Sequence, residues 1–329
     1  MLYPLTFHPI YKERIWGGRN LEQLYGRVLP PGSPIGESWD ISDRPEGISI
    51  IANGPLAGKS LRWLMENAGA DLIDQPQAPD ARFPLLVKIL DASQTLSLQV
   101  HPPPPRAAEL GGEPKTELWY IAQAQTGAEL FVGLKRGVTR EEFERRIGQG
   151  TVAECVHRVR VKPGDVMFLP SGRVHAIGGG IVIFEIQQNS DTTYRVFDWN
   201  RLDSKGRRRE LHIAESLASI DFNDFEPSLV PNKFSEGQFR RRTLVSDSAF
   251  EVQECEFSVP SRVKVQNDRM LILGLVSGKL QVEQQENLVE LGAGQFCLIP
   301  ACIREFSLHA ASPTRFLQAT PGRMLASHP

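Results

Sequence analysis

Apolar and polar residues alternate strictly over 96–101, Leu-Ser-Leu-Gln-Val-His. A strand there sets Leu96, Leu98 and Val100 on one face and Ser97, Gln99 and His101 on the other. The apolar face is expected to pack into a sandwich, and the polar face has a use only if it lines a cavity. A second alternation, over 194–199, carries Arg195. Apolar runs at 83–90, 166–169 and 181–188 read as strands, with others predicted at 36–42, 48–51 and 114–121, the last holding the carboxylate Glu117. Glu185 shares a strand face with Ile181, Ile183 and Gln187, and a carboxylate in that company needs a purpose or a partner. Helices are predicted at 60–66 with Ser60 as N-cap, at 139–147 with Thr139 and Glu142 as a capping box, and at 211–220. Residues 1–20 read as extended and turn-rich, broken at Trp16-Gly17-Gly18. Pro102 to Pro105 predict a rigid loop that carries the chain away from His101 and back to Lys115. The basic run 204–210, Ser-Lys-Gly-Arg-Arg-Arg-Glu, reads as a solvated hairpin tip in preference to a phosphate-binding patch.

The stretch 161–201 organises the rest. Lys162-Pro163-Gly164-Asp165 is a turn, Pro170 ends the following strand, Gly172 reverses the chain, and His175 stands at the lip of the next strand. Gly164, five residues, Pro170, one residue, Gly172, two residues, His175: this spacing resembles the second signature motif of the cupins, and 96–101 resembles the first. The resemblance implies a jelly roll holding one metal in its mouth. The expected fold is mainly β, two cupin-type jelly-roll barrels with a few short helices.

The second barrel follows from an internal echo. Gly294 to Pro300 repeats the spacing of Gly164 to Pro170, and Leu271 to Leu280 resembles Trp119 to Leu130. Glu305 stands where His175 would, with no partner motif upstream, so this barrel is expected to hold no metal. Periodicity is lost from Asp221 to Gln238, with Pro227, Pro231 and Gly237. The expected division is a catalytic domain over 1–225, a linker over 226–238 and a smaller domain over 239–329.

Bulk composition removes several alternatives. The 329 residues are 41% hydrophobic and 23% charged, with a net charge of −2, which gives no electrostatic case for nucleic acid or an anionic membrane. Cys155, Cys255, Cys297 and Cys302 lack paired metal-ligand spacing and read as reduced thiols. Neither a signal-peptide plan nor an apolar run of membrane-spanning length is present, so the cytoplasm is expected.

Gln99, His101, Glu117 and His175 together offer two imidazoles, a carboxylate and an amide oxygen, a set that suits zinc, manganese or iron and leaves room for water or substrate. With Lys115, Glu185 and Arg195 nearby, the site suits an anionic, oxygen-rich substrate. Three functions remain open on these residues: an isomerase, a non-haem metal oxygenase using His101, Glu117 and His175, and a non-catalytic sugar-binding cupin.

Six segments, RIWGG, GESWDIS, LSLQVHP, PKTELWYI, PSGRVHAIGGG and EIQQNSDTTYRVFDWNR, are similar to those of the type I mannose-6-phosphate isomerases, in particular their short bacterial form. The resemblance covers most of 1–220 and, more loosely, the C-terminal part. It implies one zinc ion per chain held by Gln99, His101, Glu117 and His175. Arg195 falls at the catalytic position, with Lys115 and Glu185 as further catalytic candidates. The implied substrate is a hexose 6-phosphate, interconverted between mannose 6-phosphate and fructose 6-phosphate through an enediol by a monomer or homodimer.

Overall fold

The computed structural model describes residues 2–73, 81–202 and 206–322. The fold is mainly β, and its principal sheets stack in four layers. The first is a five-stranded sheet, Tyr194–Phe197, Leu98–Val100, His175–Ile177, Glu129–Leu134 and Val156–Arg160 in spatial order. It faces a six-stranded sheet in the order Ile10–Gly18, Ile35–Ile41, Leu85–Ala92, Ile181–Gln188, Glu117–Ala124 and Val166–Leu169. The third is again five-stranded, Arg240–Ser246, Phe250–Phe257, Thr314–Pro321, Leu271–Ser277 and Phe296–Ile299, and it covers the outer side of the second. Last comes the four-stranded sheet Ser261–Gln266, Glu305–Ala310, Lys279–Gln284 and Asn287–Gly292.

The six-stranded sheet is buried on both faces, which explains why Leu85–Ala92 is buried at every position and reads as a nearly unbroken apolar run. Leu85, Val87 and Ile89 face outward into a core shared with Ile272, Leu298 and Leu317 of the third sheet and with the helix Leu61–Ile73. Leu90 and Ala92 face inward with Ile121, Met167, Ile181 and Ile183, closing one end of the first interior with hydrocarbon. Leu273, Leu280, Phe306 and Phe316 help to fill the second interior.

The predicted echo extends to individual hydrogen bonds. Gly164 N–H donates to Ile121 O and Gly294 N–H to Leu275 O, both at 2.8 Å. Ile121 and Leu275 return the bond, to Asp165 O and Gln295 O, both at 2.9 Å. The Asp165 carboxylate accepts from Lys162 N–H as the Gln295 amide oxygen does from Gly292 N–H. One turn design therefore starts the last strand of the second and third sheets.

Several local expectations need correction. Trp16, Gly17 and Gly18 lie within the strand Ile10–Gly18, and the expected break is an interruption of its pairing: Glu13 and Gly18 both oppose Ile35, and a Cβ on Gly17 would stand 2.4 Å from Gly36 N. Pro104 and Pro105 open a short helix, Pro104–Ala107, because the first helical turn has no use for their missing N–H groups. Leu98 and Val100 do not pack into the sandwich; they face outward, beneath Phe143, Val152 and Ile220. The 48–51 strand shrinks to the hairpin of Asp43–Arg44 with Gly47–Ile48. The helix predicted at 60–66 starts at Leu61, with Ser60 Oγ accepting from Trp63 N–H, and past a kink at Ala68 (φ −148°) helical turns continue to Ile73; the helix predicted at 211–220 spans Ile213–Ser219. Arg140–Gln149 starts at Thr139, whose hydroxyl accepts from Glu142 N–H at 3.2 Å, but the capping box is half formed because Arg146 draws the Glu142 carboxylate away. Segment 226–238 is tied down: Val230 N–H donates to Val166 O, and buried Arg242 donates to the carbonyls of Val230 and Pro231. Among the described residues no helix is long and apolar enough to cross a membrane.

Candidate active site

Register places the polar groups. Across the first sheet, Arg195, Gln99 and His175 are successive Cα partners on three adjacent strands. Across the facing sheet, Trp39, Lys88, Glu185 and Trp119 form a similar row, with Glu117 paired to Gln187 two positions along the same strand. Period-two alternation then turns both rows into the space between the sheets, at the end opposite the hydrocarbon plug.

His101, Glu117 and His175 converge there, their ligand atoms all within 4.8 Å of one another. Each is about 1% exposed. His175 Nε2 lies 3.2 Å from Glu117 Oε1, and His101 Nε2 lies 3.5 Å from Glu117 Oε2. Both imidazoles donate Nδ1–H to a backbone carbonyl, His101 to Thr192 at 2.8 Å and His175 to Arg173 at 2.9 Å, which fixes the tautomer with Nε2 bare. His101 Nε2 and both Glu117 oxygens are buried with no hydrogen-bond partner among the described residues. Buried acceptors without hydrogen-bond donors call for a further partner, and the donor set fits a divalent metal. The Gln99 amide stands 3.3 Å from His175 Nε2, and turning it over presents its oxygen to the same point.

Charge around the triad is set by burial and close partners. Burial, reinforced by the Lys115 charge, pushes His101 down to about 3, and burial lowers His175 as well. Burial works against the Glu117 carboxylate, yet the Lys115 charge beside it holds its pKa well below the usual range. Lys115 Nζ is 3.3 Å from Glu117 Oε2; burial disfavours its charge, but Glu117, Glu185 and Asp191 raise its pKa above the ordinary value. Glu185 is pushed up by burial and by Glu117, while Lys88 at 3.3 Å and the Trp119 indole N–H at 2.9 Å support its ionised form.

Imidazoles held neutral need lose no proton to take up a metal. Zinc affinity is therefore expected to stay level from about pH 8 to below the ordinary histidine pKa of about 6.5. Competition with a chelator across that range checks it, and affinity falling from about pH 6.5 would show the two rings titrating as free groups.

Gln99, Lys115, Glu185 and Arg195 line a cavity of about 390 Å³ beside the triad. The structure thus gathers all seven residues singled out in the sequence. Arg14, Lys88 and Arg209 also line this cavity, giving with Lys115 and Arg195 five cations against the carboxylates of Glu37, Glu185 and Asp191. Lys88 and Glu37 gave no reading in the sequence, although Lys88 is one of two charges, with Asp91, in the otherwise apolar strand Leu85–Ala92, a signal like the one that singled out Glu185. Of the run 204–210, whose Ser204 and Lys205 lie outside the described residues, Gly206, Arg207, Arg208 and Glu210 are exposed as expected, and Arg209 alone departs from the solvated reading: it enters the cavity wall and donates to Asp198 at 2.6 and 2.7 Å.

Comparison with known proteins agrees with this architecture. The family profile of the phosphomannose isomerase type I catalytic domain matches residues 5–113. Mannose-6-phosphate isomerase ManA of Bacillus subtilis is 38% identical over 310 residues, which cover 93% of this chain and 95% of that protein. A crystal structure of the mannose 6-phosphate isomerase from Bacillus subtilis superposes with a TM-score of 0.87 at 31% identity, covering 97% of this chain and 99% of that one. A zinc-bound mannose 6-phosphate isomerase structure shares the fold, with a TM-score of 0.78 at 17% identity over 97% of this chain and 100% of that one. The chain belongs to the type I phosphomannose isomerase family and is an isomerase.

Proposed function

We propose that the chain interconverts mannose 6-phosphate and fructose 6-phosphate through an enediol, with one zinc ion held by Gln99, His101, Glu117 and His175. The observation that carries this reading is the set of orphaned acceptors on His101 and Glu117 beside a cavity with a cationic excess. When bound, a divalent metal polarises the sugar carbonyl and favours the negative charge that develops on its oxygen. The protein groups divide the remaining work. Glu185 takes the proton from the carbon beside the carbonyl and returns it to the neighbouring carbon; its raised pKa brings it nearer the range in which one group can do both. Lys115 donates to a sugar oxygen. Arg195, whose Nη1 is anchored on Glu210 O at 2.8 Å and whose Nε has no hydrogen-bond partner among the described residues, offers charge-assisted donors to the developing oxyanion. The remaining cations balance the phosphate. Free cysteines, three of them buried, suit a reducing compartment and support a cytoplasmic location.

Incubation with mannose 6-phosphate in the strict absence of oxygen is expected to yield fructose 6-phosphate, and the reverse reaction to run as well. In heavy water, deuterium is expected at carbon 2 of the aldose or carbon 1 of the ketose. Chelation should stop turnover and added zinc restore it. An absolute need for oxygen, or turnover unaffected by thorough chelation, would overturn the reading.

A further inference from the structure

Beyond the strand that ends at Val100, the chain leaves His101 through Pro102 and returns at Glu113. The return is fastened at four points. The Glu113 carboxylate accepts from Arg44 Nη1 at 2.6 Å and from Arg82 Nη1 at 3.0 Å. Its N–H donates to Thr192 Oγ1 at 2.9 Å, and its carbonyl accepts from Ser190 Oγ at 3.3 Å. Arg44, 8% exposed, also donates to the Asn189 carbonyl at 3.1 Å, so one guanidinium grips both the returning loop and the start of the turn 189–193. That turn lies between the strands Ile181–Gln188 and Tyr194–Phe197 and belongs to neither ladder. Thr192 joins the two segments to the triad, since its carbonyl accepts the His101 Nδ1–H at 2.8 Å. The seat is tight: a Cβ on Gly112 would stand 2.7 Å from Thr192 Cγ2. Asp191 and Thr193, on either side of Thr192, line the cavity.

We propose that Glu113 and Thr192, gripped by Arg44, are positioning residues of the metal centre, fixing the carbonyl that orients His101 and, with it, the cavity wall of Asp191 and Thr193. The ring of His101 is aimed by one acceptor, and that acceptor sits on a turn held by side chains. Loosening the Glu113 clamp lets the Thr192 carbonyl wander and costs the metal an aligned ligand.

This inference rests on the metal reading above, and zinc alone is the probe. Wild type, Glu113→Gln, Glu113→Asp and Thr192→Val are titrated with zinc against a chromophoric chelator, and the melting temperature of each metal-free protein is measured. The Glu113 side chain is 43% exposed, so its substitution opens no core cavity, and the melting temperatures report any cost to the fold. The expected result is a zinc affinity roughly tenfold weaker for Glu113→Gln, the low end for loss of an outer-shell partner, with Glu113→Asp recovering part of it and Thr192→Val also weaker. Variants that bind zinc as tightly as wild type, whatever their melting temperatures, would overturn the positioning role. Wild type that binds no zinc would instead overturn the metal reading itself.

Discussion

Replacing His175 by alanine is expected to abolish tight zinc binding and, with it, turnover. The imidazole is one of four proposed ligands, and among the described residues nothing nearby replaces it: the Glu117 carboxylate at 3.2 Å, the Gln99 amide at 3.3 Å and the His101 ring are the other proposed ligands, and the Trp119 ring, perpendicular with centroids 5.2 Å apart, offers no acceptor. The variant also removes a buried ring and leaves a cavity, so the fold must be checked separately by its melting transition. Elemental analysis of wild type should give one zinc per chain, and His175→Ala should give close to none. Glu305→Ala is the counterpart. In the echo Glu305 takes the place of His175, but it is exposed and bonded to Lys264 at 2.9 Å and Gln266 at 2.7 Å, so its removal should leave the zinc count unchanged. Two ions per wild-type chain, or full zinc in His175→Ala, would sink the assignment of the centre.

Arg195→Ala is expected to lower kcat by about 10²–10³-fold while zinc stays bound, the loss typical of a donor aimed at a developing oxyanion. Its strand pairs Arg195 with Gln99 and so delivers the side chain to the cavity, yet the described contacts of the guanidinium lie with Glu210 O and not with the triad. Removing it should therefore leave metal affinity untouched. Steady-state kinetics on zinc-saturated variant decides the matter. A raised KM with kcat unchanged would make Arg195 a group that binds substrate and transition state equally, and its catalytic role would be lost.

How far the site could be read from the sequence depended on whether a residue's purpose was local. Gln99, His101 and His175 sit in motifs whose turns and alternation are set by neighbours in the chain, so spacing, together with the resemblance to the cupin motifs, pointed to them. Glu185 stood out as a charge in an apolar strand, and Lys88 carried the same signal in Leu85–Ala92 but passed as part of a buried run. Arg44, Glu113 and Thr192 gave none. Their partners lie 69 and 79 positions away from Glu113, and no periodicity in one segment encodes a clamp built from three. The outward packing of Leu98 and Val100 was hidden for a related reason. Alternation separates two faces without saying which meets the other sheet, and here the helix Arg140–Gln149 and its neighbours cover the apolar side.

Lys88, Lys115, Glu117 and Glu185 are all buried between the first two sheets, and each such charge costs several kcal/mol to desolvate before its partners offset the loss. The interior built on the repeated turn is filled instead by residues such as Leu273, Leu280, Phe306 and Phe316. Chemistry and durability thus reside in different interiors. Adaptation to a new substrate would act on the charged interior, where most changes lower stability, and the hydrocarbon interior supplies the reserve that tolerates them. Variants in that second interior would leave the rate constants alone and be felt as altered abundance, through the fraction of chains unfolded at any moment.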